Sequence, residues 1–232
     1  MPVADNTAIV QERIHAAALR GGRNVDDVTL MAVSKTVPPE LIRAAYLAGV
    51  RVFGENRVQE FAKKIHALRD LSNAEWHMIG HLQTNKAAKA AELFVAVDSI
   101  DSLRLAQRLN SSAQQAGKKL GILIEINVGG EAAKTGVAPE SQELEKILQA
   151  APSLEHLEIR GLMTIPPLSD DPQRARPYFR RLRELQEEIG TRQLPGISMT
   201  VLSMGMSHDF EIAIEEGSTC VRVGTAIFGE RT

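Results

Sequence analysis

With a single cysteine, Cys220, among its 232 residues, the chain cannot form an internal disulfide, which suits a reducing compartment. Cys220 falls in a run rich in Val and Ile, where an inert buried thiol is the expectation rather than a nucleophile. Neither sign of charge is in excess: 27 Lys and Arg against 29 Asp and Glu leave a formal net charge of −2. No general electrostatic pull toward nucleic acid or an anionic membrane is therefore expected. Long apolar runs are also missing. The best stretch, Leu120 to Val128, is broken by Glu125 and Asn127, and a membrane helix needs roughly 18 apolar residues. Residues 1–10 carry neither the basic nor the apolar half of a secretory leader. A cytoplasmic location is the expectation. Linkers, low-complexity tracts and charge blocks are lacking as well, so residues 1–232 are read as one domain.

What is present is an alternation of two periods. Strand-like runs, apolar and β-branched, occur at Val28–Lys35, Arg51–Asn56, Trp76–Leu82, Phe94–Ser99, Leu120–Val128, Leu157–Thr164, Ile197–Met204 and Thr219–Phe228, as strands buried on both faces should be. Helix-like stretches separate them. One opens at Pro38-Pro39-Glu40 and ends at Gly49, and others cover Ser102–Ala116, Pro139–Ala150, Arg174–Ile189 and Ser207–Glu216. The proline-rich segment Pro166–Pro177 reads as a loop. Eight strands separated by helices argue for parallel pairing, either in a closed barrel or in a doubly wound open sheet. Only Gly229-Glu230-Arg231-Thr232 follows the last strand, so no eighth crossover helix is expected. A helix at Asp5–Arg20 could cover the gap, which favours an α/β fold of (β/α)8 (TIM) barrel type with an extra N-terminal helix.

In such a barrel the chemistry sits where the strands end at their C-termini. The first strand ends on Lys35. Desolvation there favours the neutral amine that attacks aldehydes, although a strand-end lysine can equally snorkel to solvent. The seventh leads into Ser203-Met204-Gly205-Met206-Ser207 just before a helix, and the eighth ends in Arg222-Val223-Gly224-Thr225. Loops after strands seven and eight often build a phosphate site. Arg222, a permanent cation in an apolar strand, needs either a structural carboxylate such as Glu125 or Glu158, or an acceptor atom on a ligand. Asn56 could touch a ligand ring or cap the following helix. His77 and His81, four apart, would share a face within a strand, and they read as polar lining or loop residues. No HExxH pattern accompanies them, so no metal site is expected.

Ala32-Val33-Ser34-Lys35-Thr36, Phe53-Gly54-Glu55-Asn56-Arg57-Val58-Gln59-Glu60, Trp76-His77-Met78-Ile79-Gly80, Leu82-Gln83-Thr84-Asn85-Lys86, Gly161-Leu162-Met163, Leu202 through Asp209 and Arg222 through Gly229 run in order along the chain. Together they closely resemble the YggS/PROSC family of pyridoxal phosphate homeostasis proteins. The resemblance implies a barrel similar to the N-terminal domain of alanine racemase, with pyridoxal 5′-phosphate (PLP) held as an internal aldimine (Schiff base) on Lys35. It further implies Ser203, Gly224 and Thr225 as phosphate ligands, Arg222 as partner of the pyridine nitrogen and Asn56 as a ring contact. Met204, Gly205 and Ser207 join them as cofactor-binding neighbours. The implied role is intracellular vitamin B6 and amino-acid homeostasis without robust catalysis.

A racemase is the alternative, and an aldolase or isomerase of phosphorylated sugars is a third reading. Racemisation requires a second acid/base opposite the lysine, and the only tyrosines, Tyr46 and Tyr178, fall in helix-like stretches. Arg222 would keep the pyridine nitrogen unprotonated and weaken carbanion stabilisation, but alanine racemase tolerates this, so Arg222 alone excludes nothing. A monomer that binds PLP, with PLP-dependent apo-enzymes as candidate recipients, is the expectation.

Overall fold

A computed structural model describes residues 2–131 and 134–230. Eight parallel strands close into one barrel in chain order: β1 (Thr29–Val33), β2 (Val52–Glu55), β3 (Glu75–Met78), β4 (Ala96–Ile100), β5 (Leu120–Glu125), β6 (Leu157–Met163), β7 (Ile197–Met206) and β8 (Cys220–Val223). Closure is made by β8 on β1, with Met31 opposite Arg222 and Ala32 opposite Val223. The choice between barrel and open sheet is thereby decided for the TIM barrel. Every residue of β4 and β5 is buried, as expected of strands covered on both faces.

Side chains alternate across the barrel wall. Outward-facing Phe53 and Trp76 stack with centroids 4.9 Å apart, and Phe61 of helix α3 (Val58–Lys64) packs 4.8 Å from Trp76 and 4.9 Å from Phe94. These rings belong to the main core between strands and helices. Inside the barrel a smaller cluster gathers Met31, Val33, Ile79 and Cys220 with Val52 and Val201. Burial pushes the Cys220 thiol up to about 12, so the inert thiol expected from the sequence is what the fold holds.

The N-terminal helix α1 (Val3–Arg20) buries Val3, Thr7, Val10, Ile14, Ala17 and Ala18, a stripe at helical spacing. It packs against α2 (Pro39–Leu47) on one side and, on the other, α8 (Phe210–Glu215) and α9 (Thr225–Phe228), and so covers the seam. Three expectations need correction. The last strand ends at Val223 rather than Phe228, and the residues after Gly224 turn into the one-turn α9, so a vestigial eighth helix does follow it. Of the segment read as following that strand, Arg231 and Thr232 lie outside the described residues. The third strand ends at Met78, so His81 stands in a loop beside Asp101 at 3.1 Å instead of sharing a strand face with His77. Finally, α4 (Ala87–Leu93) occupies a stretch whose pattern predicts no helix, because seven residues give too few turns to display a stripe. The remaining crossovers are α5 (Leu103–Gln115), α6 (Gln142–Ala150) and α7 (Arg176–Thr191). Among the described residues no helix is long and apolar enough to cross a membrane.

Candidate functional site

At the C-terminal mouth of the barrel lies a cavity of about 260 Å³, lined by Val33, Lys35, Asn56, Ile79, Ile165, Met206, Ser207, His208, Arg222, Gly224 and Thr225. That volume lies just under the roughly 300 Å³ at which clefts for small organic ligands begin, so the cavity suits a ligand at the small end of that range. Met31 and Val33 point into the barrel, and Lys35, two residues on, keeps that parity and reaches the cavity wall half-buried. Asn56 also lines the wall. It does not cap α3, whose N-cap is Arg57 with no side-chain bond.

Arg222 is only 4% exposed and faces the cavity from β8. Neither carboxylate considered for it from the sequence is its direct partner. Glu158 is engaged by Arg160 at 3.0 Å, and Glu125 Oε1 accepts from the Thr135 hydroxyl at 2.7 Å. Instead Arg222 Nη1 donates to the Ser203 carbonyl at 2.6 Å and to Ser203 Oγ at 2.7 Å, while Nη2 donates to the Thr164 carbonyl at 2.7 Å. Burial pushes the guanidinium pKa down, with Asp98, Asp209 and Glu125 opposing this from a distance. A buried cation held only by neutral oxygens is well placed to receive an acceptor atom from a ligand. Burial also raises the carboxyls of Glu125 and Asp209 above their ordinary values.

On the same side, Ser207 Oγ accepts from Gly224 N at 3.2 Å and Ala226 N at 3.4 Å, joining the loop after β7 to the start of α9. Asp209 Oδ1 accepts from Met206 N at 2.6 Å and fixes the turn between them. Thr225 is exposed on the rim. Ser207, Gly224 and Thr225 thus share one cavity wall with Lys35, Val33 and Ile79.

The fold gathers Lys35, Asn56, Ser207, Arg222, Gly224 and Thr225 around one cavity and leaves Ser203, Met204 and Gly205 off its wall. Ser203 is fully buried with its hydroxyl on Arg222, Met204 faces the outer core, and Gly205 packs under α8, where a Cβ would lie 2.5 Å from that of Ala213. Sequence reasoning did not find Val33, Ile79, Ile165, Met206 or His208 on the wall, nor Thr164 beneath it. Parity with Lys35 would have indicated Val33. The others depend on how neighbouring strand ends are staggered. No cluster of three His, Cys, Asp or Glu that could hold a metal occurs among the described residues.

An amine, a buried guanidinium and hydroxyl groups around one small cavity suit a small ligand with an electrophilic carbon, an acceptor atom and an anionic group. Residues 10–232 match the model of the alanine racemase N-terminal domain. The pyridoxal phosphate homeostasis protein of Aquifex aeolicus is 47% identical over 231 residues, which span 100% of this chain and 99% of that protein. PipY of Synechococcus elongatus, solved with PLP bound, is 40% identical and superposes with a TM-score of 0.81 over 95% of this chain and 100% of its own. An alanine racemase of Clostridium difficile shares the fold alone, at 16% identity and a TM-score of 0.74, over 98% of this chain and 57% of its own.

Proposed function

The chain belongs to the alanine racemase N-terminal domain family and, within it, to the pyridoxal phosphate homeostasis proteins, and from that premise we propose that it holds PLP in the barrel-mouth cavity and serves PLP and amino-acid homeostasis rather than turnover. The observation that carries this reading is the convergence of Lys35, Arg222, Ser207, Gly224 and Thr225 on one small cavity. When bound, PLP supplies an aldehyde that condenses with amines and a ring that withdraws electrons. Lys35 Nζ is assigned the bond to the aldehyde carbon. Arg222 donates to the ring nitrogen and, as a permanent cation, keeps that nitrogen an acceptor. The Ser207 and Thr225 hydroxyls hold the phosphate, with Gly224 N–H steadying Ser207 Oγ beside it and Asn56 flanking the ring. Ser203 acts one layer below, by anchoring Arg222, because its hydroxyl is already engaged there.

The racemase alternative has less support. Tyr46 lies on α2 with Arg51 over its ring at 4.4 Å, Tyr178 lies on α7, and neither lines the cavity. With no tyrosine on the wall, and with the His208 ring nitrogen 3.1 Å from the Asp170 carbonyl oxygen, a cofactor held here suits a monomeric cytoplasmic carrier whose recipients are PLP-dependent apo-enzymes. The test is direct. Purified protein mixed with PLP should develop a visible absorption band, and borohydride reduction should leave the pyridoxyl mass on Lys35. Lys35→Ala should abolish both, and wild type should exchange no amino-acid α-proton with solvent at catalytic rates. A label on any other lysine, or rapid proton exchange, would overturn the reading.

A further inference from the structure

Helix α3 carries two charged groups, Glu60 and Lys64, that the cavity does not account for. Lys64, with a side chain only 10% exposed, places Nζ 2.8 Å from Glu55 Oε1 and 3.4 Å from Glu60 Oε1. The same ammonium donates to the Ser34 carbonyl at 2.8 Å. One turn earlier, Glu60 Oε1 accepts from the Thr36 amide at 2.5 Å. The Ser34 carbonyl and the Thr36 N–H belong to the two peptide groups that flank Lys35. The anchor of the arrangement is Glu55, fully buried, whose Oε1 also accepts the Ser34 hydroxyl at 2.6 Å and whose Oε2 has no partner.

Parity puts this network outside the barrel wall. Ser34 and Glu55 point outward toward α3, while Val33 and Lys35 point inward. The backbone between them is strained, because Thr36 sits at φ +60°. A β-branched residue in the left-handed region is disfavoured and persists only where its surroundings over-determine it. Lysine has a flexible stem, so the direction of its main chain decides how often Nζ meets a ligand in the cavity.

We propose that Glu60 and Lys64 are positioning residues that clamp the peptide groups on either side of Lys35 and thereby aim its amine into the cavity. The proposal rests on the assignment of Lys35 as the residue that condenses with the aldehyde. In that step the neutral amine nitrogen adds to the aldehyde carbon, a C=N bond forms and one water leaves. The clamp itself exists without any ligand, which gives it an independent readout.

Three measurements on the full chain test it. Amide hydrogen exchange at Thr36 is followed by NMR in the cofactor-free protein. The rate of condensation with PLP is followed by stopped-flow absorbance. Non-covalent PLP affinity is measured in a Lys35→Ala background. In Glu60→Ala, Thr36 exchange should rise about tenfold and condensation should slow about tenfold, as expected for losing one charge-assisted bond from an aligned reactant. Glu60→Gln keeps an oxygen that can accept from Thr36 and should stay within about twofold of wild type on both, while affinity in the Lys35→Ala background stays within about twofold. Should Glu60→Ala fail to fold, the pair Glu55→Gln/Lys64→Met removes the clamp from the Ser34 side without stranding a buried charge, with the same slowing expected. Wild-type condensation rates in Glu60→Ala or in Glu55→Gln/Lys64→Met, or an equal loss of non-covalent affinity, would overturn the clamp while leaving the function intact. A wild-type protein that never condenses with PLP would overturn both.

Discussion

Inside the barrel, His77 and Asp98 form a pair that no local pattern announces. His77 Nδ1 lies 3.1 Å from Asp98 Oδ2, and Nε2 lies 3.9 Å from Glu75 Oε2. Burial opposes the imidazolium, but the two carboxylates outweigh it and raise the pKa to about 9. The unfolded chain would titrate near 6.5. Because the folded value lies higher, the charged pair gives its full stabilisation below about pH 6.5 and loses it as pH rises through about 9. Stability of the wild type should therefore fall by roughly 2–3 kcal/mol across that window. Asp98→Asn should flatten the dependence, and urea denaturation at a series of pH values reads both. The sequence showed His77 as a polar residue in an apolar run. Its partner is 21 residues away on the next strand, and only the pairing of β3 with β4 brings them together.

At the scale of elements, spacing sets what each strand can tolerate. β6 and β7 pair with a register shift beside Gly161, where an added Cβ would sit 1.8 Å from the Val201 carbonyl oxygen. A backbone oxygen cannot yield as a side chain can. Gly161→Ala should therefore cost about 3 kcal/mol or more, or prevent folding outright, as scored by urea midpoint and soluble yield. A second shift, between β7 and β8 at Ser203/Met206, sets Ser203 opposite Cys220 and Met206 opposite Arg222. That extra residue puts Met206, rather than Gly205, opposite Arg222 at the cavity. Ser203 and Ser207 look alike in the sequence, and depth decides between them, because Ser203 pairs with Cys220 two residues below Arg222.

Over the whole molecule, closure depends on α1. The helix covers the seam beside β8, ties to α9 through Asn6 Nδ2 to the Ile227 carbonyl at 2.9 Å, and binds α8 through Arg13 to Glu211 at 2.6 Å and Arg20 to Glu215 at 2.8 Å. Exposed ion pairs of this kind contribute little, so the buried stripe provides most of the docking energy. Ile14, 3% exposed, should cost about 2–4 kcal/mol when replaced by Ala. Leu19, at 65% exposure on the same helix, should change stability by less than about 0.5 kcal/mol. Denaturant midpoints at an unchanged slope distinguish the two.

Local chemistry was enough to read the alternation of strands and helices and to place Lys35 just past the first strand. Those properties are carried by neighbours within a few residues: periodicity, apolar runs, and proline and glycine punctuation. Closure of β8 on β1, the partners of Arg222, the choice of Ser207 over Ser203 and the His77–Asp98 pair were decided only by the tertiary structure. Each depends on register between strands distant in sequence, and one residue of slip reverses which face a side chain occupies.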